Sequence, residues 1–316
     1  MMEPTLQHPV ATPDGHQLLP AGAVLTEATL ARLAASAPAA LEPVPLLEFG
    51  TVRQDLLGFL VSPPYRAVFG GAGTIPDLLA TMEGVHLAPP CLDCLVWFRE
   101  CDPYTYRHSL TVLALTTLLA RDLLPDSQDH VREAFAGPTH DIGKVCVPLE
   151  ILQKETPLTL AERSRLEHHS LAGSVLLSHF LGDHRHLAVR VARDHHERKD
   201  GSGYPRGIRD IDPLVEIIIV SDVYDALLSP RPYRPISFDN RSAIDVLTSM
   251  AERGKIGWDV LKALLAHNRG VRFRADEIQV SSERRGHPPA GNMYGATLQD
   301  GRDQDESDGG DEGHGP

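Results

Sequence analysis

Cysteine is scarce in this chain: four residues in 316, at Cys91, Cys94, Cys101 and Cys146. So few in so long a chain do not make a disulfide framework. Cys91-Leu-Asp-Cys94 has the spacing of half a zinc site, but no second CxxC and no well-spaced histidine follows, so structural zinc is not expected. Long apolar runs are also missing. None reaches the ~18 residues that a membrane span needs, and the opening MMEPTLQHPVATPDG has no charged n-region ahead of an apolar core. No membrane span and no signal peptide are therefore expected, and a cytoplasmic location follows as the default. Basic charge is in deficit, with 30 Lys and Arg against 43 Asp and Glu and a net charge of −13. About half of that excess lies after residue 299, where seven acids face Arg302 alone. A general affinity for nucleic acid polymers is excluded, and any phosphate site must be local. A phosphate-cradling loop is absent too, because Gly70-Gly71-Ala72-Gly73 is not followed by Lys-Ser/Thr.

What is present is an ordinary globular composition, 42% hydrophobic and 23% charged, enough for one large domain and a smaller one. Residues 1–90 are rich in Pro, Gly and Ala. They predict a small α/β region of unknown role: short strands at 15–20 and 23–25, a helix from Thr26 as N-cap, helical spacing over 46–61 and a short helix at 77–82. From residue 91 to 275 the pattern changes to long amphipathic helices, so this part is expected to be mostly α. Helices are predicted over 104–124, 129–144, from Thr159 to about 177, 186–193, 214–228, 237–252 (capped by Ser237) and 258–267, with a short extended exit at 145–147. Thr159 and Glu162 have capping-box spacing. Residues 276–316 thin into Gly, Pro, Asp and Glu and predict a disordered acidic tail.

Sixteen histidines are the compositional oddity, and most lie between Gln128 and His196. The most telling stretch is His140-Asp141-Ile142-Gly143-Lys144. On a helix the adjacent His and Asp point about 100° apart and can grip a metal from two directions, with Lys144 on the same face to meet phosphate. A surface dyad on a charged helix would read the same way, so the motif alone does not decide.

The rest of the chain weighs on that choice. His108, the His140/Asp141 pair, His169, His195, His196 and Asp222 all sit beside apolar residues at helices or helix ends. Any one alone is more often a satisfied core side chain than a ligand. Together, imidazole and carboxylate donors without cysteine favour Fe or Mn over Zn or Ni. Seven ligands exceed one tetrahedral ion and suit two metals bridged by a carboxylate and a hydroxide, a centre for in-line attack on phosphorus.

The stretch 140–144, taken with His195-His196-Glu197-Arg198-Lys199-Asp200-Gly201-Ser202-Gly203-Tyr204-Pro205, resembles the HD-GYP branch of the HD phosphohydrolases. The likeness runs from about Asp102 to His267. It includes residues 104–109, His169-x-x-x-Gly173, residues 221–226 and Arg231-Pro232-Tyr233-Arg234. It implies an all-helical HD-type phosphohydrolase domain, a two- or three-metal centre, and metal-dependent hydrolysis of cyclic di-GMP to pGpG, in some members on to GMP. Carried over by position, it implies His108, His140, His169, His195, His196 and Asp222 as terminal metal ligands and Asp141 as the bridge. Lys144 is implied as a catalytic phosphate contact, Tyr204 as a nucleotide contact, and Arg231 and Arg234 as phosphate or guanine contacts. Some members with a third metal carry a Glu one turn before the first histidine; here Tyr104 stands there, so two divalent ions, Fe or Mn, are expected. Asp225 and Glu197 are candidates to orient ligating imidazoles, although Glu197 also reads as an exposed charge at a helix end. His168 is taken as a bystander beside His169. Two other readings remain: a phosphodiesterase for another cyclic dinucleotide, and a signalling module that senses the dinucleotide or docks partner proteins. Signalling protein partners and a homodimer are compatible with the resemblance.

Overall fold

A computed structural model of the chain describes residues 3–37, 42–125, 130–230, 236–289 and 297–298. Arg231 and Arg234 lie outside these residues, as does most of the stretch after 289. The fold is mostly α, as the sequence predicts. The N-terminal region carries a two-stranded antiparallel pair, β1 (Val10–Ala11) and β2 (Gln17–Leu19), then α1 (Glu27–Ala35). A second pair joins β3 (Val44–Pro45) to β4 (His86–Leu87). Between its strands lie α2 (Val52–Val61), α3 (Arg66–Phe69) and α4 (Thr74–Met82). Thr26 caps α1 through the Thr29 N–H as predicted. The expected strand at 23–25 is corrected: β2 pairs with residues before Gly15, and Val24 makes only a bridge to Thr5. The helix expected from residue 46 begins at Val52, after a short 3-10 turn at Leu46–Glu48.

Helices α5 (Pro89–Cys101) and α6 (Pro103–Leu123) open the larger part. They are followed by α7 (His130–Thr139), a short α8 (Leu149–Leu152), α9 (Leu160–Glu167), α10 (His169–Leu181) and α11 (Leu187–Asp194). Then come α12 (Pro213–Leu228), α13 (Asn240–Glu252) and α14 (Trp258–Asn268). Strand β5 (Leu158–Thr159) pairs in parallel with β6 (Thr297–Leu298). α6 is central, packing on α7, α12, α5, α14 and α2. Its run of buried residues from Leu110 to Ala120 covers more than one face, as a helix surrounded by others must. Thr159 and Glu162 form the predicted capping box. Asp239, rather than Ser237, caps α13, since its carboxylate takes the Ser242 N–H.

Packing crosses both boundaries drawn from composition. One hydrophobic cluster runs unbroken from Leu6 through Leu60, Leu110 and Ile218 to Ile278, so the N-terminal region shares the core of the larger part. Residues 276–289, assigned to a disordered tail from their composition, are packed on α13. Asp245 takes the Arg285 and Gly286 N–H groups at 2.9 and 2.7 Å, and Ile278 is buried. Composition misses this because a backbone captured by one carboxylate needs no apolar sequence of its own. Among the described residues no helix is long and apolar enough to cross a membrane.

Candidate metal centre

Pro138 ends α7. It brings no N–H to the helical ladder, and the helix stops at Thr139. The single helix predicted over 129–144 is thereby corrected: His140 and Asp141 sit in a break, and Ile142–Cys146 form a 3-10 turn in place of the expected extended exit. Likewise the helix expected to run through His168 and His169 is two helices, α9 and α10, that meet there.

These breaks have a chemical use. Carbonyls in the last turn of a helix lack intrahelical partners. The Gly137 carbonyl accepts His140 Nδ1–H at 2.6 Å, the Leu166 carbonyl accepts His169 Nδ1–H at 2.6 Å, and the Ala192 carbonyl accepts His195 Nδ1–H at 2.9 Å. In each ring the proton is thus on Nδ1 and the lone pair on Nε2. The ends of α7, α9 and α11 also carry partial negative charge, which favours a cation among them.

The Nε2 atoms converge. Nε2 of His169 is 3.2 Å from Nε2 of His195 and 3.1 Å from Nε2 of His196, and Nε2 of His108 is 3.3 Å from Nε2 of His140. The His169 and His195 lone pairs cannot hydrogen-bond each other. Metal–nitrogen bonds of about 2.1 Å place neighbouring donors about 3.0–3.4 Å apart, so the spacing fits a shared cation. Asp222 Oδ1 stands 3.2 Å from His108 Nε2. The donors form two close groups, His108/His140/Asp222 and His169/His195/His196. Asp141 lies between them. Its Oδ1 faces His169 at 3.3 Å and His195 at 3.7 Å, while its Oδ2 faces His140 at 3.4 Å, His108 at 3.5 Å and Lys144 Nζ at 2.6 Å.

The electrostatics agree with this arrangement. Burial opposes charge on Asp141, but Lys144 and His140 outweigh it and hold the carboxyl well below its usual range. Asp222 is held down in the same way, against burial, by the His108 hydrogen bond and charge. Burial, with His140 and His169 alongside, pushes His195 down to about 3. Burial and His195 push His196 well down. Both rings are therefore neutral donors at neutral pH. His108 is opposite: burial lowers it, but its bonds to Asp222 and Asp225 prevail and raise it to about 9.

Around the donors the predicted residues take distinct places. Asp225 is fully buried and accepts His108 Nδ1–H at 2.6 Å, the orienting contact expected of it. Glu197 neither orients an imidazole nor lies exposed. Its buried carboxylate takes the Arg206 and Ile208 N–H groups at 2.7 and 3.0 Å and so folds the loop that carries Tyr204. The Tyr204 ring stacks on His196 with centroids 4.6 Å apart. Tyr204, like Lys144 and His196, is partly exposed. His168 points away, edge-on to His8 at 5.3 Å, and burial followed by His8 lowers it to about 4. Tyr104 stacks on His108 at 5.7 Å and offers no carboxylate. Gly143 and Gly173 let the 3-10 turn lie directly on α10: a Cβ on Gly143 would stand 1.9 Å from the His169 carbonyl. Sequence reasoning gave Gly143 no such role, and it missed Tyr65, which donates a hydrogen bond to Asp225 from the N-terminal region. No motif surrounds Tyr65 that would have marked it.

Comparison with known proteins gives the following. The sequence profile of the HD domain family matches residues 99–260. A cyclic di-GMP phosphodiesterase of Pseudomonas aeruginosa is 43% identical over 171 residues, 52% of this chain and 39% of that protein. A 3'3'-cGAMP-specific phosphodiesterase of Vibrio cholerae is 40% identical over 135 residues, 42% of this chain and 29% of that protein. The chain thus spans well under half the length of these curated relatives. Among solved structures, an HDGYP protein from Bdellovibrio bacteriovorus aligns over 82% of this chain and 94% of its own, with a TM-score of 0.44 and 15% identity.

Proposed function

Because the chain belongs to the HD domain family, we propose that it is a metal-dependent phosphodiesterase that hydrolyses cyclic di-GMP to pGpG or on to GMP. The observation that carries this reading is Asp141, with one oxygen toward each group of donors. In this reading His108, His140 and Asp222 would hold one divalent ion, His169, His195 and His196 would hold another, and Asp141 would serve both. Fe or Mn suits the imidazole and carboxylate donors, and Tyr104 in place of a carboxylate limits the centre to two ions. Bound there, the ions supply Lewis acidity toward a phosphodiester and a more acidic water.

The side chains do the rest. Lys144, whose ammonium rests on Asp141 Oδ2 at 2.6 Å, is partly exposed and meets a phosphoryl oxygen of the substrate. Tyr204 presents its ring to a base, backed by His196. Arg231 and Arg234 follow α12, and their forked guanidinium groups suit phosphate and guanine edges. A cytoplasmic setting, where the buried thiols of Cys91 and Cys94 stay reduced, belongs to the same proposal.

The test is direct. Protein loaded with Fe or Mn and incubated with cyclic di-GMP should yield pGpG or GMP, with two ions per chain by metal analysis. No product under either metal defeats the substrate reading, and three ions at full occupancy defeats the two-metal reading. The 40% identity to a phosphodiesterase specific for 3'3'-cGAMP favours one competing substrate. A panel of cyclic dinucleotides compared by kcat/KM decides between them.

A further inference from the structure

Outside the motif residues, one hydrogen-bonded chain enters the metal centre from the N-terminal region. Tyr65, at the start of α3, is fully buried. Its hydroxyl donates to Asp225 Oδ1 and stands 2.9 Å from Ser229 Oγ. The other oxygen, Asp225 Oδ2, accepts His108 Nδ1–H at 2.6 Å and Ser229 Oγ–H at 3.2 Å. Asp225 and Ser229 lie one turn apart at the end of α12, and His108 lies on α6, so Tyr65 ties a third element to the other two. Arg107, the neighbour of His108, packs its guanidinium over the Phe59 and Tyr65 rings at 5.5 and 5.7 Å.

We infer that Tyr65 is a positioning residue of the metal centre: it fixes the Asp225 carboxylate, which in turn holds His108 with Nδ1 protonated and Nε2 aimed at the metal. Three physical points support this. A buried carboxylate with one oxygen unsatisfied is costly and turns toward any other donor. A ligating imidazole depends on the acceptor behind it for its tautomer and orientation, and loss of that acceptor typically costs 10–100-fold in metal affinity. The phenol stays a neutral donor because burial, and then Asp225, push its ionisation well above the ordinary range. The N-terminal region is on this account a working part of the centre, because it supplies the donor to Asp225 Oδ1. The inference rests on the metal reading above, but not on the identity of the substrate.

The test uses the full chain and Mn2+ alone, followed by the electron paramagnetic resonance signal of free Mn2+. Tyr65→Phe keeps the ring and removes the hydroxyl. It should weaken one of two Mn2+ sites by about tenfold and leave the other unchanged. The His108 Nδ1–H proton resonance of the metal-free protein should move upfield in parallel. A second measurement covers a variant that fails to fold: wild-type chain carrying 3-fluorotyrosine keeps the packing but makes Tyr65 a stronger donor, and the His108 Nδ1–H resonance should shift. Equal Mn2+ affinity in wild type and Tyr65→Phe overturns the inference, and so does an unmoved resonance with fluorotyrosine. Wild-type chain that takes up no Mn2+ overturns the metal reading and this inference with it. Uptake without turnover of any cyclic dinucleotide overturns the substrate reading and leaves the inference standing.

Discussion

His108 and His195 share one site yet titrate in opposite directions, and the sign of each sets a pH window. His108 rises to about 9 against its burial, because Asp222 and Asp225 bond its protonated form. Its folded value exceeds the unfolded value of about 6.5, so it stabilises the metal-free chain fully below about pH 6.5 and progressively less as pH climbs through about 9. His195 falls to about 3 through burial and its histidine neighbours. The unfolded chain binds the extra proton there, so stability is lost as pH drops below about 6.5, by about 1.4 kcal/mol per pH unit for a group of this kind. Denaturant unfolding of metal-free protein should therefore be most stable near pH 6.5 and weaken on both sides; a plateau from pH 5 to 9 would contradict these assignments. The same asymmetry places metal uptake. Between about pH 6.5 and 9 a cation must displace the His108 proton, so calorimetric titration in buffers of different ionisation enthalpy should report close to one proton released per chain. Lys144 belongs to this scale too. Lys144→Met should lower kcat/KM by about 100-fold or more while metal content stays within about twofold of wild type; an equal loss of both would make Lys144 a support for Asp141 alone.

At the scale of the element, three helix ends do what no single residue does. The stops of α7, α9 and α11 hand carbonyls to the Nδ1 atoms of His140, His169 and His195 and leave three Nε2 lone pairs aimed around Asp141. The residue types at these positions were legible in the sequence, and Gly137-Pro138 carries the stop signal at α7. The periodic reading overrode that signal, since Val131, Ala134 and Phe135 continue a helical stripe up to the proline. What the sequence did not disclose is the contact of the 3-10 turn with α10. Gly143→Ala would drive a methyl into the His169 carbonyl and the Gly173 N–H. It should cost about 3 kcal/mol or more, or prevent folding, by a backbone clash that no rotamer relieves. Gly58, exposed in α2 with open space around it, is the matched control. Gly58→Ala should gain about 0.5–1 kcal/mol from helix propensity alone. Equal responses in chemical denaturation would show that Gly143 is not pinned.

For the whole molecule, the continuous core matters most. Leu56 and Leu60 of α2 and Leu78 of α4 belong to the same apolar cluster as Leu110 and Leu113 of α6. Removing residues 1–88 would expose those faces and take away both Tyr65 and the Asp55 carboxylate that accepts the Tyr106 hydroxyl at 2.8 Å. Residues 89–289 alone should show no cooperative thermal transition, or one lowered by well over 10 °C, since a domain's net stability is only about 5–15 kcal/mol. A fragment that melts like the full chain would restore the N-terminal region to the status of a separate domain, as its composition suggested.

The sequence by itself determined the helical character of residues 91–275, the set of histidines and aspartates, and their resemblance to HD phosphohydrolases. Periodicity and motif spacing are local, and a ligand set is written in residue types. Tertiary structure decided what depends on chain segments far apart in sequence. It decided that Asp141 shows one oxygen to each of two donor groups, that Glu197 folds a loop instead of orienting a ring, and that Asp245 holds residues 285–286. It also decided that Tyr65, 160 residues before Asp225, bonds to it in the core. A hydrogen bond across that separation leaves no spacing to read, because the angle and distance it needs are set only when the start of α3 packs against α12.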